Sequence, residues 1–292
     1  MTQNEDIQYV VITPVRDEAQ HIAETITSIV NQTVKPVQWV IVDDGSMDGT
    51  SDIIDKYAVE YSWITVLHRS DRGRRENGTG VIEAFYSGYE SLRVAEWDFI
   101  VKLDGDVGAS TDYFESCFRE FKKDPQLGIG GGVICHSENG TLNVEDCPRF
   151  HVRGATKIYR RACWNAIGGL SKAPGWDTID EVKANMLGWK TRSFQHLKIL
   201  HRRRTGAADG AWRNSVKDGR ADYVSGYHPV FMFLKCVKRL VQKPLVVGSL
   251  GLLYGFISAY VNQTPQVDDQ SLIHYVRRQQ LRRLLFLDSI WK

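Results

Sequence analysis

Trp39-Val40-Ile41-Val42-Asp43-Asp44-Gly45-Ser46 and Trp97-Asp98-Phe99-Ile100-Val101-Lys102-Leu103-Asp104-Gly105-Asp106 are the stretches that decide the fold. Each is an apolar, β-prone run that ends in a cluster of carboxylates. Such runs, alternating with helical patterns, predict strands of a mostly parallel, doubly wound sheet with right-handed crossovers. The carboxylates then fall at the C-terminal edge of the sheet, where open α/β folds bind their ligands. Two such ends side by side can grip a nucleotide with one cluster and a divalent ion on its diphosphate with the other, because hard cations take carboxylate oxygens.

The pattern extends outward from these runs. Tyr9 to Thr13 reads as a first strand, then the loop Pro14-Val15-Arg16-Asp17-Glu18, then a helix with Ile22, Ile26, Ile29 and Val30 at helical spacing. Val37 to Val42 is the second strand, and Asp48-Gly49-Thr50-Ser51 opens a helix carrying Ile53, Ile54 and Tyr57. Trp63 to Leu67, a charged loop from His68 to Gly80, a helix from Val81 to Leu92 and a strand from Phe99 to Leu103 complete the first half. Beyond Leu127 the pattern changes to a glycine-interrupted strand from Gly128 to Cys135, a loop or hairpin to Arg149, and a short helix ending at Gly168-Gly169. Asp177 to Leu187 then reads as a helix closed by Gly188, and Thr191 to Leu200 as an extended segment reaching His201.

At 292 residues, with 25% charged and 42% hydrophobic side chains, the chain is an ordinary globular protein with room for a large core. We expect a catalytic domain over residues 1–225, with a nucleotide-binding half 1–110 and an acceptor half 111–225, and a basic, hydrophobic extension over 226–292. Five scattered cysteines form no close pair, which fits a reducing cytosol, and the first residues lack the basic and apolar pattern of a signal peptide. The four Asn-x-Thr triplets would matter only in a secreted chain. A nicotinamide dehydrogenase is disfavoured, since the first strand runs into Pro14-Val15-Arg16-Asp17-Glu18 and not into a glycine fingerprint.

From Lys235 onward, nine Lys or Arg stand against three Asp, a net charge of +6. Within this tail, Pro244 to Val261 has no charged side chain over eighteen residues, the lower limit for a spanning helix. Gly248, Gly251 and Gly255 suit close helix packing or a re-entrant turn. The expectation is peripheral contact with the cytoplasmic membrane face, and the alternative is a buried C-terminal hairpin.

Thr13-Pro14-Val15-Arg16-Asp17-Glu18, Ser28-Ile29-Val30-Asn31-Gln32-Thr33, Val42 to Thr50 and Leu103-Asp104-Gly105-Asp106, in that order, closely resemble family 2 glycosyltransferases of the GT-A fold. The resemblance covers residues 8 to 205 or so. It implies an inverting enzyme that passes a sugar from a nucleoside-diphosphate sugar to an acceptor hydroxyl, with Mg²⁺ or Mn²⁺. By the same resemblance, Thr13 and Asp44 hold the base, with Pro14, Arg16, Glu18, Asp43 and Asp104 completing the donor pocket. A carboxylate suits this task because it accepts the imide proton of uracil or the amino protons of guanine. Asp43 and Asp44 also fit plain turn and cap roles.

Asp104-Gly105-Asp106 corresponds to the family's metal-binding motif, with Asp106 the direct ligand and Asp104 nearer the ribose. His201 joins Asp104 and Asp106 as a metal ligand, and Arg202 and Arg204 of the run His201-Arg202-Arg203-Arg204 are set against the diphosphate. Arg69, Arg72, Arg74 and Arg75 are weaker phosphate candidates. The base that deprotonates the acceptor maps to Gly175-Trp176-Asp177-Thr178-Ile179-Asp180-Glu181. Asp177, Asp180 and Glu181 lie at i, i+3 and i+4 and share a helical face. The usual Glu-Asp pair is absent, and Trp176, in the place of the Glu, is expected to stack on the acceptor. Asp177 also fits a helix cap. The acceptor expected is a lipid-linked glycan or polysaccharide precursor. A soluble or protein acceptor, or a non-catalytic nucleotide-sugar-binding scaffold, are the alternatives.

Overall fold

Strand and helix alternate from the first described residues, as the patterning predicts: β1 (Tyr9–Val15), α1 (Ile22–Val30), β2 (Gln38–Asp43), α2 (Thr50–Glu60), β3 (Ile64–His68), α3 (Thr79–Glu90) and β4 (Phe99–Leu103). After β4 come β5 (Val107–Ala109), α4 (Tyr113–Lys123), β6 (Leu127–Glu138), β7 (Thr141–Val144), β8 (Thr156–Arg160), α5 (Arg161–Ile167), α6 (Trp176–Met186) and β9 (Lys190–His201). The C-terminal part is helical: α7 (Gly210–Val224), α8 (Pro229–Arg239), α9 (Val247–Val261) and α10 (Gln270–Leu284). This computed structural model describes residues 7–71, 79–138, 141–145, 147–203, 210–241 and 246–291. Arg72, Arg74, Arg75 and Arg204 therefore lie outside the described residues.

The chain divides into two compact units, Met1–Gly169 with Gly188–Arg203, and Leu170–Leu187 with Arg204–Lys292. The second unit takes in α6 and α7, because Ile179 and Val182 of α6 share a core with Met232, Cys236, Leu252, Phe256, Leu272 and Val276.

In the first unit the strands run β3-β2-β1-β4-β8-β6-β9-β5, with β7 beside β6. The first four are mutually parallel, whereas β8 pairs antiparallel with both β4 and β6. The predicted α/β class is therefore observed, with the parallel part confined to β3-β2-β1-β4 and to the β6–β9 pair. β1 and β2 are buried on both faces, which explains their unbroken apolar runs. α4 lays Tyr113, Phe114, Cys117, Phe118 and Phe121 against the sheet, and each fully buried Phe contributes roughly 1.5–3 kcal/mol. All five cysteines are free thiols.

The uncharged stretch of the tail becomes α9, fifteen residues long. Among the described residues no helix is long and apolar enough to cross a membrane. Its glycines serve close packing: a Cβ on Gly255 would lie 2.1 Å from the Val216 carbonyl oxygen, and one on Gly219 of α7 would lie 1.9 Å from that of Leu252. Here α7 and α9 meet backbone to backbone.

Candidate active site

The strand order reverses at β1, which lies between β2 and β4. A crevice outside the carboxyl ends of these strands is where an open α/β sheet takes its ligand. Each acidic cluster ends a strand beside β1, and the loop after β1 touches both. Asp44 N–H donates to the Val15 carbonyl at 2.9 Å, and Arg16 Nη1 donates to the Asp44 carbonyl at 2.9 Å. On the other side, a Cβ on Gly105 would meet Val15 at 2.7 Å and Glu18 at 3.5 Å, so the Asp104-Gly105-Asp106 turn presses on the same loop.

Side chains staple the β1 loop to the turn after β2. Asp17 N–H donates to Ser46 Oγ at 3.0 Å, Glu18 N–H to Thr50 Oγ1 at 2.8 Å, and Ala19 N–H to Asp48 Oδ2 at 3.0 Å. In return Met47 N–H donates to Asp17 Oδ1 at 2.9 Å. Asp17 itself sits at φ 54, a left-handed conformation that Asp tolerates better than most residues. Gly45, at φ 76, cannot be replaced without strain, since a Cβ would lie 2.5 Å from the Asp71 Cα.

The paired aspartates divide their work. Asp43 is tied inward: it accepts from Ser46 N–H at 2.9 Å and Ser51 Oγ at 2.6 Å, and its Oδ2 lies 3.0 Å from His68 Nδ1. Burial pushes its carboxyl up, but the hydrogen bonds from Ser46, Ser51 and His68 outweigh this and hold it below the ordinary range. Asp43 therefore builds the loop. Asp44 instead meets Arg69 Nη1 at 2.8 Å. Arg69 thereby stands at the acidic end of β2, and Arg16 also reaches Asp71 Oδ1 at 2.7 Å. Thr13 is buried within β1, and its hydroxyl accepts from the Trp39 indole at 2.9 Å, so its side chain serves strand packing. Pro14, next along, is partly exposed.

At the second cluster, His201 Nε2 lies 3.1 Å from Asp106 Oδ1. Asp104, Asp106 and His201 each offer one ligand atom, and these atoms lie within 4.8 Å of one another. Burial raises the Asp106 carboxyl, yet the His201 hydrogen bond and the positive charges of His201, Arg203 and Lys102 bring it below the ordinary range. Burial lowers His201 in turn, and its bond to Asp106 more than restores it, so the imidazole stands above its ordinary value. Behind it, His136 Nδ1 lies 3.1 Å from the His201 carbonyl, and His136 Nε2 lies 2.7 Å from Glu145 Oε1. Two carboxylates and an imidazole are a donor set that suits Mg²⁺ or Mn²⁺.

The arginine run divides between two partners. Arg203, not Arg202, turns to the acids: it pairs with Glu18, and its Nε lies 3.5 Å from Asp106 Oδ2. Arg202 points the other way, to Glu24, and meets the cluster only through its backbone N–H, 2.9 Å from the Asp106 carbonyl. Lys102, buried on β4, pairs with Asp104 and is a further site residue that hydrophobic patterning hides.

The three candidate bases lie in the second unit, on α6. Asp180 and Glu181 are buried, and Asp180 Oδ1 accepts from the Glu181 N–H at 2.7 Å. Asp177, in the first turn, is only partly buried. Its charge bears on Asp222, whose carboxyl burial pushes up against its 2.7 Å pairing with Lys235. Trp176 is buried at the start of the helix, which leaves little indole face to stack on a sugar.

A family profile described as "Glycosyl transferase family 2" matches residues 10–170. Among curated proteins, the chain is similar to glycosyltransferase GlyG of Streptococcus pneumoniae, at 26% identity over 121 residues, 41% of this chain and 37% of that protein. It is also 23% identical over 193 residues to poly-β-1,6-N-acetyl-D-glucosamine synthase of Staphylococcus epidermidis, 62% of this chain and 44% of the relative. The chain thus spans less than half the length of these relatives. Among solved structures it is similar to the mannosyltransferase PcManGT of Pyrobaculum calidifontis, in complex with GDP-Man and Mn²⁺. That match has a TM-score of 0.55 at 16% identity and covers 97% of this chain and 76% of the other. It shows the fold, GT-A.

Proposed function

The chain belongs to glycosyltransferase family 2, and from that premise we propose that it moves a sugar from a nucleoside-diphosphate sugar to an acceptor hydroxyl with inversion at the anomeric carbon. The observation that carries this reading is one loop, after β1, in contact with both acidic clusters. Asp44, steadied by Arg69, accepts protons from the base. Asp43 holds the turn that presents it, and Arg16 and Glu18 fix the loop between base and diphosphate. A divalent ion held by Asp104, Asp106 and His201 would offset the negative charge building on the departing diphosphate. The guanidinium of Arg203 is placed to fork phosphate oxygens.

Asp177 is our choice of base. It occupies the family's position by sequence and is the candidate of the three that burial leaves accessible. Its role is to take the hydroxyl proton as the acceptor attacks. The acceptor we assign is a lipid-linked glycan or polysaccharide precursor at the cytoplasmic membrane face. Similarity to a polysaccharide synthase and the basic, apolar tail support it.

A screen of UDP- and GDP-sugars with Mn²⁺, measuring free nucleoside diphosphate, tests the proposal. One donor should be hydrolysed slowly without acceptor, Asp106→Asn should abolish that hydrolysis, and Asp177→Asn should spare donor binding while removing transfer. Hydrolysis of no donor, with or without the ion, would overturn the reading.

A further inference from the structure

Helices α8, α9 and α10 of the second unit carry seven Lys or Arg and no Asp or Glu. The solvent-facing side chains of α8 and α9 are nonetheless largely apolar. On α8, Val230, Phe233, Leu234 and Val237 recur at helical spacing and are 43% to 57% exposed, while Met232 and Cys236 of the opposite face enter the core. A helix covering a water-soluble core carries polar residues on its outer face, and this one does not. Lys238, exposed on the same helix, follows the stripe directly.

The end of α10 repeats the pairing of base and apolar tip. Leu285, Phe286 and Leu287 follow Arg282 and Arg283, and Phe286 is 94% exposed. Phe286 stands at φ 57, where the Leu287 N–H reaches the Arg282 carbonyl at 2.8 Å and closes the helix. Glycine favours that left-handed position, and a bulky aromatic there is strained. The fold gains no burial from the ring, which leaves a partner as its purpose. Helix α8 and the α10 segment touch: the His228 N–H donates to Gln280 Oε1 at 2.8 Å, and Phe231 packs edge-on against Trp291 at 6.0 Å.

We propose that this surface docks the protein on an anionic bilayer, with Phe233, Leu234 and Phe286 at the acyl boundary and the arginines and lysines on the headgroups. The inference deepens, and rests on, the reading of a membrane-presented acceptor. Apolar side chains beside helices that carry bases and no Asp or Glu match an anionic headgroup layer in both chemistry and sign. A second copy matches only the first, since a two-fold axis would set bases against bases. Because no described helix is long enough to span, the contact lies along the interface.

The test is sedimentation of the full chain with phosphatidylcholine vesicles, with and without phosphatidylglycerol. Binding should require phosphatidylglycerol, weaken in high salt, and fall about tenfold in each of Phe233→Ser and Phe286→Gly. Phe286→Gly relieves the left-handed strain, so its Tm should hold or rise, which separates lost docking from lost folding. Donor hydrolysis in vesicle-free buffer should not change in either variant. Binding that ignores phosphatidylglycerol, variants that bind like the parent, or a dimer that these variants dissociate would each overturn docking, the last assigning the surface to a second copy. Vesicle binding with no donor turnover would instead overturn the transferase reading alone.

Discussion

His201 Nε2 stands 3.1 Å from Asp106 Oδ1, across 95 residues of sequence. A three-residue strand makes the meeting possible: β5 follows directly after Asp106 and pairs Val107 with His201 at the end of β9. The two ligands are thus fixed by backbone register.

Replacing His201 by Ala should lower Mn²⁺ affinity by roughly 10- to 100-fold, and Asp106→Asn by at least as much. Direct Mn²⁺ binding reads both, and Mn²⁺ titration of donor hydrolysis reads His201→Ala. A dependence on the ion that neither substitution shifts would remove the cluster from the site.

Asp44 meets Arg69 at 2.8 Å, a charge-assisted hydrogen bond that fixes the carboxylate which, in the proposed function, receives the base. Asp44→Asn should raise the donor KM roughly tenfold or more, the size expected for losing a hydrogen bond to a charged group, with a smaller change in kcat. Steady-state kinetics over donor concentration decides it. A pure loss of kcat would place Asp44 outside base recognition.

His68 links β3 to β2 and α2, through Asp43 at 3.0 Å and Asp55 at 3.0 Å. The Asp43 hydrogen bond raises the imidazole above its ordinary 6.5, while Asp43 lies below its ordinary 3.8. The His68 contribution is complete below the unfolded value and is lost as pH rises through the elevated one. That of Asp43 is complete above its unfolded value and is lost as pH falls through the depressed one. Stability from this link is therefore greatest between the two ordinary values. From about pH 6 to about pH 9 the Tm should fall, and His68→Gln should flatten that fall. Parallel slopes in parent and variant would contradict it.

Gly219 and Gly255 let α7 and α9 meet without side chains between them. Gly219→Ala would drive a methyl into the Leu252 carbonyl and should cost about 1–3 kcal/mol, or roughly 2–12 °C in Tm. Scanning calorimetry checks this, and an unchanged Tm would show that the helices are not so close.

Much of the donor edge is legible in the sequence, because buried parallel strands are plain apolar runs and their acidic ends follow at once. β5 is not, being three residues long with no period to detect. The face of α4 was open to reading, since Tyr113, Phe114, Cys117, Phe118 and Phe121 have helical spacing. The partners of Arg202 and Arg203 are not legible in the sequence, because the chain leaves β9 at His201 and bends there. Sequence alone does not reveal the burial of Asp180, Glu181 and Trp176, because helix α6 is covered by C-terminal helices far along the chain. The tail's uncharged stretch was ambiguous for a related reason: glycines that admit a neighbouring helix look the same as glycines of a membrane segment.

Lys102 on Asp104 and Arg203 on Glu18 and Asp106 give the acidic edge a resident positive charge of its own. Uptake of the proposed cation there would accordingly be an exchange, in which the metal competes with ammonium and guanidinium groups already seated. Affinity measured for the free protein will understate the ligands' intrinsic strength, and a diphosphate that draws Arg203 away should make the same ion bind more tightly.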